Sequence, residues 1–249
     1  MFFNFFLADY IDTEFELEND NNFSQEVPYN IEKIESALTS ACKDLNNLDP
    51  YFTLSAEYEF TKFFKSISSA LSMGFSDITS KVEKMRQKFK EYPECKTIQQ
   101  LVLKEMELNL HQLNGENNSK FGHKKKDKYE KYCSASRTFL RLLWFMEFLI
   151  EIFKTILADR KKDTIKKIIG NSYDKILAPR HSWLVRRAVG TAMMFGMSGS
   201  KDDAVKIIFC CDKYNSEAKN KIQRITNLLE NVWSAANEFY KENNLLKLP

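Results

Sequence analysis

An all-helical fold is predicted by three features of the 249-residue sequence. Glycine (7) and proline (5) together make about 5% of the chain, against roughly 12% in an average protein. Helix interiors tolerate neither residue well, whereas sandwiches and doubly wound sheets need both at many turns. Apolar residues recur at helical spacing from Tyr29 onward. With 43% hydrophobic and 13% aromatic residues there is ample material for a core, and a chain of this size buries about three quarters of its unfolded surface. Collagen-like and low-complexity classes are excluded.

Residues 1–28 read as an N-terminal extension. Phe2, Phe3, Phe5 and Phe6 are followed by an acidic, Asn-rich stretch from Thr13 to Asn22 whose period is neither helical nor strand-like. Three readings stand for it: a strap packed on the domain, a disordered arm, or phenylalanines dipping into a bilayer interface. Residues 29–249 are expected to form one domain of eight or nine helices. Ile31, Ile34, Leu38 and Cys42 mark the first, and Asn47–Pro50 breaks the chain. A second runs to Gly74 with Phe60, Phe63, Phe64, Ile67 and Leu71 on one face. Gly74 can end that helix, and Ser76 can cap the next through Lys90. Glu91-Tyr-Pro93 interrupts again before a helix from Thr97 to Leu113. Helices are then predicted at 134–158, 162–177, 180–197, 201–213 and 215–241, with no internal repeat. The helix at 134–158 is apolar nearly all round, the mark of a central, buried element.

The charge balance narrows the function classes. A net charge of +3 is small for a nucleic-acid binder. Five cysteines, one pair adjacent (Cys210, Cys211), give neither a disulfide framework nor a metal-ligand spacing, so reduced thiols in a cytosolic, cofactor-free protein are expected. The apolar run Phe139–Leu157 contains Arg141, Glu147, Glu151 and Lys154, while a spanning helix needs about 20 mostly uncharged residues. The N-terminus lacks the basic start of a secretory signal. Residues 114–131 form the clearest loop, with six lysines (Lys120, Lys124, Lys125, Lys126, Lys128, Lys131). That loop is either a solvated segment or a patch for anionic lipid, where each lysine adds about 1 kcal/mol.

Charges inside the apolar helix carry the functional signal. Arg137 and Arg141 lie one turn apart on one face, beside apolar surface that makes unpaired charge costly. A bound dianion would relieve their repulsion, and the guanidinium fork suits phosphate oxygens. Core carboxylates such as Glu147, or solvent, would serve equally on spacing alone. Asp77 and Lys81 form a second i, i+4 pair, by itself an ordinary surface pair. His181 precedes Trp183, which suits either a core position or a membrane–water boundary.

Taken together and in order, Asp77-x-x-x-Lys81, Arg137-x-x-x-Arg141 and His181-x-Trp183 resemble the headgroup site of the glycolipid transfer protein superfamily, most closely its ceramide-1-phosphate branch. Leu48-Asp-Pro-Tyr51, Ser76-Asp-Ile-Thr-Ser-Lys81, Ser136-Arg-Thr-Phe-Leu-Arg-Leu142, Ser172-Tyr-Asp, His181-Ser-Trp-Leu-Val-Arg-Arg-Ala188 and Leu245-Leu-Lys-Leu-Pro249 agree in register, over residues 29–249. The resemblance implies a two-layer helical sandwich around an apolar pocket for lipid chains. It implies that Asp77 and His181 bind the ceramide amide, that Lys81, Arg137 and Arg141 hold the phosphate, and that Trp183 meets the membrane. Sugar-binding members carry tryptophan and asparagine where this sequence has Arg141 and Lys81, which moves the expected headgroup from sugar to phosphate. Lys84 sits where those members have their own lysine, and Ser182 replaces a frequent proline. The expected activity is non-enzymatic transfer of ceramide-1-phosphate by a monomer that is cytoplasmic and peripheral on membranes, without nucleic-acid partners. Alternatives are a sphingolipid sensor, glycosphingolipid transfer, and a helical adaptor that binds protein through its basic face.

Overall fold

Nine α-helices and one 3-10 turn make up the described residues. A computed structural model of the chain describes residues 29–67, 69–113, 132–158, 163–196 and 199–249, with the side chains of 65–76, 195 and 196 outside the description. The N-terminal extension and the lysine-rich loop lie outside the described residues. In chain order the helices are α1 (Ile31–Ala41), α2 (Pro50–Ile67), α3 (Ser69–Glu91), α4 (Ile98–Glu107), α5 (Ala135–Leu157), α6 (Ile165–Ile176), α7 (Trp183–Gly196), α8 (Lys201–Phe209) and α9 (Ser216–Glu242). The 3-10 turn Ala178–Arg180 joins α6 to α7. They stack as a two-layer helical sandwich in which α5 packs on α3, α4, α6 and α9.

The helix starts follow from short polar side chains in extended backbone. Asn30, Thr97, Ser134, Thr164 and Asn215 each accept a bond from a backbone N–H of the first turn, and Ser200 with Asp203 forms a full capping box. Such caps satisfy donors that the helix itself leaves open.

Several boundaries differ from the sequence reading. The break between the second and third helices falls before Ser69, and Gly74 and Ser76 lie inside α3. A glycine inside a helix costs only about 1 kcal/mol, which the packing of α3 on α2, α5 and α7 overrides. The helix expected over Thr97–Leu113 stops at Glu107 because Asn109 takes a left-handed conformation (φ 55°). The Leu110 N–H then reaches the Glu105 carbonyl at 2.8 Å, as in a Schellman ending. The helix expected over 201–213 ends at Phe209, where Cys210 is likewise left-handed (φ 54°). The stretch 180–197 divides at His181, whose backbone is extended.

The core is aromatic along the α2–α5 seam. Phe64 meets Phe145 and Phe148 at ring separations of 5.9 and 6.2 Å, Phe60 meets Phe153 at 5.8 Å, and Phe153 meets Phe209 at 4.9 Å. The central helix is not apolar all round. Arg137, Arg141, Trp144, Glu147, Glu151 and Lys154 form one partly exposed stripe, and the remaining faces are buried. That stripe is what lets a core helix carry a polar site.

One α2 carboxyl is placed against this pattern. Glu57 is fully buried, and among the described residues neither its carboxyl oxygens nor the Thr53 hydroxyl one turn away has a hydrogen-bond partner. Burial pushes the Glu57 carboxyl well above the usual carboxylate range, because the ionised form loses its hydration. A folded-state pKa above the unfolded one means that the protein loses stability as pH rises through the ordinary carboxylate range. Glu57→Met is therefore expected to stabilise the fold at neutral pH by about 1–4 kcal/mol. Denaturant unfolding of the two proteins between acid and neutral pH checks this: the difference should grow with pH, and a difference independent of pH would show that Glu57 does not titrate as argued.

Candidate functional site

The site is built on the first two turns of α5, and a buried carboxylate sets where those turns begin. Glu105, near the end of α4, is wholly buried. Its Oε1 accepts from the Tyr132 hydroxyl and the Ala135 N–H, each at 2.7 Å. Its Oε2 accepts from the Ser134 hydroxyl at 2.9 Å and from the Ser136 N–H and hydroxyl at 2.7 Å each. A negative charge at a helix N-terminus is favourable, and five donors compensate its burial. Burial and the neighbouring Glu105 charge push the Tyr132 phenol far above its usual range, so it stays a donor.

Arg137 and Arg141 project from the turns so fixed. Arg137 gives one Nη1 bond to the Gln112 carbonyl at 3.1 Å, and its Nε is buried without a partner. Arg141 bonds the Arg137 carbonyl (3.4 Å) and the Pro249 carbonyl (2.7 Å). The tail that delivers Pro249 is anchored by buried Leu245 and Leu248. Among the described residues no Asp or Glu side chain bonds either arginine. Glu147, one counter-ion the sequence allowed, bonds Arg180 at 2.8 Å instead. Burial lowers the pKa of Arg137. Burial, and then the adjacent Arg137 charge, push Arg141 down to about 10. Both effects report cations that would gain from an anion.

The other predicted residues converge on the same place. Lys81 is ion-paired with Asp77 on α3. Asp77 is also within electrostatic reach of both Arg141 and His181, and Lys81 of His181. His181 follows the 3-10 turn, and its Nδ1 lies 3.0 Å from the Tyr173 hydroxyl. Burial lowers the His181 pKa, with Asp77 opposing and Lys81 assisting. Burial likewise raises that of Tyr173. The lowered pKa favours the neutral imidazole, and where the Tyr173 hydroxyl donates to Nδ1 the ring hydrogen of His181 sits on Nε2. Ser182 keeps the turn defined without proline: its hydroxyl accepts from the Val185 N–H at 3.4 Å and its carbonyl from Arg186 at 3.0 Å.

Trp183 stands apart from the charged cluster. It is 62% exposed, beside Leu184 at 70%, and Met194 at the other end of α7 is 65% exposed. This helix has no acidic residue and carries Arg186 and Arg187. The Arg187 guanidinium lies 5.3 Å from the Trp183 ring centre. An exposed apolar helix face of this size normally marks an interaction surface. Among the described residues no helix is long and apolar enough to cross a membrane, and no group of three His, Cys, Asp or Glu could hold a metal ion.

An all-helical sandwich of this arrangement is the fold of a class of lipid transfer proteins. The chain belongs to the glycolipid transfer protein family, whose pattern its residues 46–201 match. It is 23% identical over 223 residues to the ceramide-1-phosphate transfer protein of Danio rerio, covering 89% of this chain and 98% of that protein. Its fold is similar to that of human ceramide-1-phosphate transfer protein in complex with a ceramide-1-phosphate, with a TM-score of 0.74 and 18% identity over 90% of this chain and all of that one. It is also similar to the accelerated-cell-death protein of Arabidopsis complexed with ceramide-1-phosphate, with a TM-score of 0.67 and 17% identity over 88% of this chain and 98% of that one.

Four contributors were missed in the sequence. Glu105, Gln112, Tyr173 and Pro249 act through bonds that helical periodicity does not predict; Tyr173, in the Ser172-Tyr-Asp match, and Pro249, in the Leu245-Leu-Lys-Leu-Pro249 match, carried a signal, and Glu105 and Gln112 carried none. Two outcomes are expected. Glu105→Ala removes the acceptor of the Ala135 N–H and of the Ser136 N–H and hydroxyl and should cost at least about 3 kcal/mol, measured by chemical denaturation. Tyr173→Phe should shift His181 from the Nε2–H tautomer to a mixture, read by nitrogen NMR of the imidazole; an unchanged tautomer would mean that another group sets it.

Proposed function

We propose that this protein transfers a phosphosphingolipid, ceramide-1-phosphate, between membranes as a non-covalent carrier. The observation that carries the proposal is the pair Arg137 and Arg141, partly buried, one turn apart and without an Asp or Glu side chain bonded to either among the described residues. A phosphate monoester brings close to two negative charges at neutral pH. It would offer both arginines one doubly charged acceptor, and charge-assisted bonds are about twice as strong as neutral ones. Lys81 adds a third cation. Asp77 can accept from the ceramide amide N–H, and the Nε2–H of His181 can donate to its carbonyl. The relatives named above, one called a ceramide-1-phosphate transfer protein and two solved with that lipid, support the same choice of headgroup.

The physical task explains the design. Each methylene moved into water costs about 0.8 kcal/mol, so a two-chain lipid leaves its bilayer slowly. A carrier that takes the chains into an apolar pocket exchanges one dry environment for another, and the headgroup contacts are then left to decide which lipid is taken. Residues 29–249 form the transfer domain in this reading and 1–28 an extension. The exposed face of α7, led by Trp183, rests on the membrane surface while the lipid passes. The protein works as a monomer, without enzymatic chemistry, and is peripheral on cytoplasmic membrane faces.

Vesicle-to-vesicle transfer of labelled ceramide-1-phosphate, beside galactosylceramide and phosphatidic acid, tests the proposal. Preferential transfer of the first is expected; transfer of galactosylceramide instead would overturn the phosphate assignment, and uptake without vesicle-to-vesicle flux would make the protein a sensor. Arg141→Leu should lower ceramide-1-phosphate transfer by about 10- to 100-fold, the worth of one charged hydrogen-bonding group. Its melting temperature should not fall, because a like-charge contact is removed. Trp183→Ala should weaken adsorption to vesicles and leave the preference among lipids unchanged.

A further inference from the structure

Trp144 lies three residues beyond Arg141 on α5, so the two side chains are neighbours on one helix face. The Arg141 guanidinium carbon is 4.6 Å from the Trp144 ring centre, and the Arg180 guanidinium carbon is 5.3 Å from the same ring. Arg180 is tied down at its other side by Glu147 at 2.8 Å. Arg180 closes the 3-10 turn, and His181 follows directly, its N–H on the Ala178 carbonyl at 3.3 Å. Trp144 is itself packed against the core. One indole therefore touches both the arginine next to Arg137 and the turn that presents His181.

The consequence concerns geometry more than charge. Fixing a long arginine side chain costs rotamer entropy, and a flat aromatic face reduces that cost because guanidinium stacks on it. The carbonyls of Arg137 and Pro249 take N–H groups at the edge of the Arg141 fork. The indole lies against the guanidinium itself. Together they define its orientation, which a bidentate phosphate contact requires and a contact to a lone charge does not. Glu147 neutralises Arg180, so the indole draws the turn towards α5 without adding a net cation beside Arg137 and Arg141.

We propose that Trp144 is a positioning residue that sets the phosphate selectivity of the site by orienting the Arg141 guanidinium. This rests on the phosphosphingolipid reading above. The test is calorimetric binding of a short-chain ceramide-1-phosphate and the matching short-chain ceramide to the full chain and to Trp144→Phe, Trp144→Met and Trp144→Leu. The quantity read is the ratio of the two affinities, which a general loss of packing would not move selectively. The wild-type protein and Trp144→Phe should favour the phosphate-bearing lipid. Trp144→Met and Trp144→Leu should lose about tenfold of that preference and keep their ceramide affinity. Methionine fills the space without a ring, so equal ratios for Trp144→Phe and Trp144→Met would overturn the proposal even if Trp144→Leu fails to fold. A preference retained in every variant would overturn it and leave the phosphate reading standing. No preference in the wild-type protein would remove the phosphate reading and this inference with it.

Discussion

The buried carboxylate of Glu105 is the interaction on which the site depends. It binds the first turn of α5 from α4, taking both backbone and side-chain donors of Ser136, the N–H of Ala135 and the hydroxyls of Tyr132 and Ser134. Tyr240 of α9 completes the anchorage by donating to the Ser136 carbonyl at 2.9 Å. An ion buried this deeply is tolerated only when its lone pairs are filled. The bonding pattern leaves the start of α5 little choice of register, and Arg137 and Arg141 inherit their positions from it.

That register produces an electrostatic imbalance with a use. Many cations among the described residues have carboxylate neighbours, as in Lys221–Glu32, Lys175–Glu151 and Lys88–Glu91. Arg137 and Arg141 instead meet carbonyls and each other. Their positive charge is held in partly buried surroundings by main-chain oxygens, the feature on which the proposed headgroup contact rests. The exposed face of α7 is of another kind: it presents apolar area and arginines together.

Much of the fold was legible in the residues. Scarce glycine and proline, helical apolar spacing and well-placed caps at Asn30, Thr97, Ser134, Thr164, Ser200 and Asn215 point to the same helices that form. The boundaries that shifted did so where propensity is weak. Gly74 can end a helix or sit within one, and only packing chooses. Asn109 and Cys210 end helices in left-handed conformations; asparagine favours this locally, but cysteine gives no such signal.

The proposed headgroup residues stood out in the sequence for a different reason. Asp77 and Lys81, and Arg137 and Arg141, are one helical turn apart, and helix geometry alone places each pair on one face. His181 and Trp183 could be ordered beside them only by resemblance. Whether the arginines were neutralised by Glu147 or left for a ligand was a question that spacing could not answer, because counter-ions come from other segments. The sequence by itself determined the helices, the apolar faces that bury them and the local pairing of charges, since these depend on contacts within a few residues. Tertiary structure alone decided that Glu147 goes to Arg180, that Pro249 reaches Arg141 and that Tyr173 faces His181. Each of these joins residues that helical periodicity does not relate, and only the packed chain brings them within bonding distance.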